Sequence, residues 1–174
     1  GLAADPGGFD PQHAPPALAP LVSRASDAVD RLQRGLSRRL LEELSDAPNA
    51  VLVCRDEAPA LAAEAAGAAG LSLGRTSHRL RNPANAPRAW VRPALAAAAG
   101  RPAAEVGARA YDLGDRVGYL RPIAVGQVCL RCHGPTGALS PGVRAAVQGA
   151  YPSDQATGFE AGEFRGFFWA EVAK

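Results

Sequence analysis

One long amphipathic stripe constrains this chain more than any other feature. Leu18, Leu21, Val22, Ala25, Val29, Leu32, Leu36, Leu40 and Leu44 recur at steps of three and four residues, which puts them on one face of an α-helix. Arg24, Asp27, Asp30, Arg31, Arg34, Arg38 and Glu42 fill the opposite face. So long an apolar edge needs a broad partner, and the second half of the chain offers a sheet. Residues 71–77, 106–111, 117–125 and 163–172 read as strands, with Asp112-Leu113-Gly114-Asp115 as a hairpin turn. Helices are expected at 48–66, 88–99 and 141–150, the first capped by Asp46. Its inward face would be Val51, Cys54, Ala58, Leu61 and Ala65. Helices first and antiparallel strands later predict an α+β fold. An irregular arm over 1–16 would precede a single domain over 17–174, with no internal repeat.

Composition narrows the function. The 174 residues are 47% hydrophobic and 21% charged, with a net charge of +2, which excludes a disordered or collagen-like chain. The 19 basic residues are scattered among 17 acidic ones, so no basic stripe for nucleic acid arises. No apolar stretch approaches the ~20 residues that a membrane span needs. Neither a P-loop nor a Ser-His-Asp or paired-carboxylate arrangement is present, so an enzyme is not expected.

The chemistry is concentrated in Cys129-Leu130-Arg131-Cys132-His133, the Cys-x-x-Cys-His pattern of c-type haem attachment. Two thiols at this spacing can each bond one porphyrin vinyl group, and the adjacent imidazole then lies under the ring as proximal iron ligand. A redox disulfide or a zinc site fits less well. Gly134-Pro135 follows at once, and Cys54, His13 and His78 are isolated in sequence. There is no Met, so the sixth position of the iron has few claimants: Cys54, His78, His13, Lys174, a water or nothing. On spacing alone, Cys54 reads equally as a ligand or as a small buried residue.

Four stretches together resemble a known family. They are Ala50–Cys54 with Ala58-Pro59-Ala60, the loop Arg75–Pro87, the haem motif with Gly134, and the tail Tyr151–Gly158 running on into Gly162–Gly166. The chain resembles, from Leu18 to Val172, the PAS-like c-type haem domains. That family is typified by a cyanobacterial single-haem cytochrome with mixed His and Cys axial ligation. The resemblance implies a five-stranded antiparallel PAS-like sheet with long N-terminal helices. It implies one covalently attached haem c, with His133 as proximal and Cys54 as distal ligand.

On that basis the chain is expected to act as a low-potential redox or gas sensor read by a redox or signalling protein partner. A soluble periplasmic electron-transfer cytochrome is the alternative. A thiolate favours ferric iron, and loss of the Cys54 bond on reduction would open a site for a diatomic gas. Arg79, Arg81 and Asn82, with Tyr119, are expected either to hold the haem propionates or to face solvent. Phe164, Phe167, Phe168 and Trp169 are expected in the sheet core. The attachment chemistry implies a periplasmic protein whose signal segment has been removed. A homo-oligomer is compatible with the sequence.

Overall fold

The computed structural model describes residues 7–43 and 47–174. Helix α1 spans Ala19–Glu42 and buries Val22, Ala25, Ala28, Val29, Leu32 and Leu36, the stripe expected from the sequence. Leu44 and the expected cap at Asp46 lie outside the described residues. Helix α2 (Ala47–Leu52) leads into a π-helical turn at Val53–Glu57, and α3 (Ala58–Ala69) follows. The continuous helix expected over 48–66 is therefore interrupted. Pro59 supplies the reason. It has no N–H to donate to the carbonyl of Arg55, and its ring would collide with that oxygen in a regular helix. The ladder widens instead, and the Ala58 N–H reaches back to the Val53 carbonyl.

The sheet has five antiparallel strands in the order β1-β3-β4-β5-β2. They are β1 (Gly8–Phe9), β2 (Ser72–Thr76), β3 (Arg109–Asp112), β4 (Arg116–Ala124) and β5 (Phe164–Ala173). The α+β expectation holds. One boundary differs: the arm was expected to be irregular, yet Gly8 and Phe9 pair with Tyr111 and Ala110 at the sheet edge. The hairpin turn forms as expected, with Asp112 Oδ1 accepting the Gly114 N–H at 2.9 Å.

β5 lies inside the sheet between β4 and β2 and is buried on both faces, which explains its aromatic run. Phe168, Ala170 and Val172 pack with α1 and α3, while Phe164 and Phe167 pack with Val91, Ala94, Leu95 and Ala98 around α4 (Arg92–Ala98). Helices thus cover both faces. Among the described residues no helix is long and apolar enough to cross a membrane.

One irregularity in the sheet positions the site. Ile123 pairs with Gly166 and Ala124 with Phe164, so Arg165 is the unpaired residue of a β-bulge. Bulges of this kind re-aim a side chain. Gly166 makes it feasible, with φ at +155° and a position where an added Cβ would lie 2.1 Å from the Thr76 carbonyl oxygen. Gly166→Ala is expected to cost about 3 kcal/mol of unfolding free energy. Urea denaturation checks this, and an unchanged midpoint would contradict the assignment.

Candidate functional site

The ends of β2, β4 and β5 that lie side by side open into a cavity, closed by α2, the π-turn and the Cys-x-x-Cys-His segment. Its walls include Cys54, Arg75, Leu80, Arg81, Ile123, Val125, Cys129, Cys132, His133, Tyr151 and Arg165. The motif forms a 3-10 turn (Gln127–Cys129) followed by the short helix α5 (Leu130–His133). Gly134 caps it, its N–H donating to the Leu130 carbonyl at 2.9 Å, and an added Cβ there would lie 2.6 Å from the same oxygen. Backbone bonds then zip the motif to the tail: Phe159 N donates to His133 O at 2.9 Å and Gly158 N to Gly134 O at 2.8 Å. The two motif thiols, both free, pack differently. Cys132 lies against Val51, Leu139, Val143, Val147 and Tyr151, around α2 and α6 (Pro141–Ala150), whereas Cys129 lies against Val125, Ala156 and Phe159.

His133 is held in one tautomer. Its Nδ1 lies 2.7 Å from the Ala156 carbonyl. A carbonyl only accepts, so the proton sits on Nδ1 and the lone pair on Nε2. Desolvation, then the charges of Arg165, Arg81 and Arg75, holds its pKa well below the ordinary imidazole range despite the opposing bond to Ala156. The ring is therefore neutral and able to donate to a metal.

Cys54 is the half-buried free thiol on the π-turn, in the wall of the same cavity. The π-turn divides the stripe that the sequence suggested: Val51 packs toward α6, Ala58 and Ala65 toward α1. The other claimants for a sixth ligand lie elsewhere. His13 is exposed and bonded to Asp10, and Lys174 is paired with Asp112. His78 stacks on Phe164 at 5.7 Å and meets Phe159 edge-on at 6.0 Å. It is not among the cavity walls, and its Nδ1 is buried with no hydrogen-bond partner.

The predicted polar residues divide. Arg81 is 8% exposed and lines the cavity. It forks onto Asp154 (Nε–Oδ1 2.9 Å, Nη2–Oδ2 3.1 Å) and donates to the carbonyls of Cys132 at 2.7 Å and Ala156 at 3.1 Å. Asn82 borders the cavity too, but its side chain caps a turn by accepting from Ala84 N at 3.0 Å. Arg79 is not among the cavity walls. It donates to the Gln155 carbonyl and covers the Phe159 ring at 4.1 Å. Tyr119 is buried in the main core and bonded by Arg121, and it borders a different groove beside α1. That groove is larger; of its charged groups, Asp10, Arg101, Glu105, Arg109 and Arg121 are already bonded within the protein and Asp27 is exposed.

Sequence reasoning missed Arg165 and Arg75. Arg165 donates to Ser77 Oγ at 2.6 Å and to the Arg79 carbonyl at 3.1 Å. Burial and the charges of Arg81 and Arg75 push it down to about 10, so it stays cationic at neutral pH. The available signal was an Arg-Gly pair inside a buried aromatic strand, a mark of a bulge. Arg75, Arg81 and Arg165 face one acidic partner, Asp154, and Arg131 is exposed at the rim. The inner wall therefore carries an excess of two positive charges, next to apolar walls. It suits a large apolar ligand bearing two anionic groups, bound beside two thiols and an imidazole.

The depressed His133 pKa makes a pH prediction. In the unfolded chain the imidazole takes up a proton near pH 6.5, and in the folded chain it does so only at a distinctly lower pH. Proton uptake then favours unfolding. In a Cys129→Ser/Cys132→Ser variant, stability is expected to be full above that pH. It should fall below it by at most about 1.4 kcal/mol per pH unit for this proton. The half-buried His78 moves the same way. Denaturation at several pH values checks this, and His133→Asn should flatten the slope. A flat profile between about pH 7 and 5 in the serine variant would contradict it.

Comparison with known proteins follows the same lines. A family model described as Tll0287-like matches residues 17–172. Among solved structures, the cyanobacterial heme-protein Tll0287 aligns with a TM-score of 0.59 and 26% sequence identity, covering 82% of this chain and 95% of that one. No curated protein matches.

Proposed function

The chain belongs to the Tll0287-like family, and on that premise we propose that it carries one covalently attached haem c and works as a low-potential redox sensor outside the bacterial cytoplasm. One observation carries the reading: the motif residues Cys129, Cys132 and His133 and the sequence-distant Cys54 line one cavity with two uncompensated guanidinium charges. The heme of the relative Tll0287 supports the choice of group, and a haem's two propionates match the charge excess.

In this reading Cys129 and Cys132 bond the vinyl groups, and His133 donates from Nε2 while Ala156 holds its Nδ1 proton. Cys54, in the wall of the same cavity, would hold the metal as a thiolate. Arg165 and Arg75 bind the propionates, whereas Arg81 is already engaged with Asp154 and two carbonyls. The bound haem supplies one-electron chemistry between ferric and ferrous iron.

The thiolate of Cys54 favours the oxidised state. As an anion it would bind a ferric metal more strongly than a ferrous one, and proton uptake by the sulfur would compete with that bond. The segment that bears it is suited to respond. The π-turn has already given up the regular helical ladder, and α2 and the π-turn present Leu52, Arg55 and Asp56 to solvent. That surface is the one a protein partner would read, and loss of the Cys54 bond would leave room for a diatomic gas.

Ferric and ferrous optical spectra, with and without carbon monoxide, test the reading. The wild type is expected to show a thiolate-ligated ferric spectrum and to bind carbon monoxide only when reduced. Cys54→Ala should lose the thiolate signature and bind carbon monoxide more readily. A ferric spectrum unchanged by Cys54→Ala would overturn the ligand assignment. Ligands retained on reduction would favour the electron-carrier reading.

A further inference from the structure

We infer that Arg81 and Asp154 set the donor strength of His133 through the carbonyl of Ala156, and thereby set how readily the bound metal is reduced. The inference rests on the reading of His133 as the metal ligand. Ala156 is the junction. Its carbonyl accepts His133 Nδ1 at 2.7 Å and Arg81 Nη2 at 3.1 Å. Its N–H donates to Asp154 Oδ1 at 3.0 Å, the same oxygen that accepts Arg81 Nε at 2.9 Å. Arg81 Nη2 also reaches the Cys132 carbonyl at 2.7 Å, one residue before the imidazole. The pair is almost wholly buried, with side chains 7% and 10% exposed, so water does little to screen it.

A proximal histidine donates more strongly when its other N–H is bonded to a strong acceptor. Here a guanidinium competes for that acceptor. It draws electron density from the Ala156 oxygen and weakens the pull of that oxygen on the Nδ1 proton. His133 is left a poorer donor, and the oxidised metal is less stabilised than an unshared carbonyl would make it. Asp154 moderates this by neutralising much of the guanidinium charge. Arg81 and Asp154 are thus positioning residues acting in opposite directions on one bond.

The test uses the haem-loaded protein, with two readouts: the midpoint potential and the ring N–H resonance of His133 in the ferrous state. Arg81→Gln frees the carbonyl. The reduction equilibrium constant should fall about tenfold, ~59 mV for one electron, and the Nδ1–H resonance should move downfield. Asp154→Asn should shift both readouts the other way. Arg75→Gln removes a charge from the same cavity wall without touching Ala156. It should change the potential alone and leave the resonance in place.

If Arg81→Gln and Arg75→Gln behave alike, with the resonance unmoved in both, Arg81 is only a nearby charge and the inference is overturned. If Arg81→Gln fails to fold, Asp154→Asn decides. It keeps the shape of the side chain, and an unmoved resonance in it also overturns the inference. Failure of the underlying reading looks different: the wild type itself would carry no haem, or no iron-shifted His133 ring.

Discussion

A single guanidinium holds the site together. Arg81 comes from the loop after β2, grips Asp154 in the tail, and donates to carbonyls in the motif and the tail. Three segments far apart in sequence meet on one buried side chain. A buried ion pair is only weak evidence of stability in itself, because desolvation offsets much of the attraction. Its value here is geometric. The fork fixes Ala156, Ala156 fixes the tautomer of His133, and the direction of the imidazole lone pair follows. Loss of either partner would leave a buried charge unpaired, which costs about 3–5 kcal/mol.

Around that clamp the fold resolves a conflict between regular structure and function in two places. A helix that ran straight through Pro59 would collide with the Arg55 carbonyl, and the π-turn relieves this while presenting Cys54 to the cavity. A strand that paired without interruption would give Arg165 the ordinary alternation of the sheet. The bulge at Gly166 takes it out of register and into the cavity wall. Both irregularities lie beside the chemistry, where departures from regular geometry are expected to concentrate. Together they supply the sulfur and one of the two uncompensated charges.

Much of this was legible in the residues. The stripe from Val22 to Leu36 was readable because helix periodicity is local, as were the short helix over 141–150 and the Asp112–Gly114 turn. The motif was legible because its spacing is itself the chemistry. The edge strand at Gly8–Phe9 was not, since two residues carry no period and their pairing with β3 spans about a hundred positions. Arg165 was hidden by the bulge, which depends on the Thr76 backbone closing against Gly166. Arg79 and Arg81 looked equivalent as neighbours on a basic loop. Only the fold separates them, one over the Phe159 ring and the other buried against Asp154.

The claim beneath all of this is a porphyrin welded to the chain through Cys129 and Cys132. Intact mass spectrometry of the purified protein under denaturing conditions measures it most directly. The account predicts the 17.9 kDa polypeptide plus the mass of one haem, surviving acid and organic solvent, and lost when both cysteines are replaced by serine. A bare polypeptide mass from cells competent in haem attachment would contradict it.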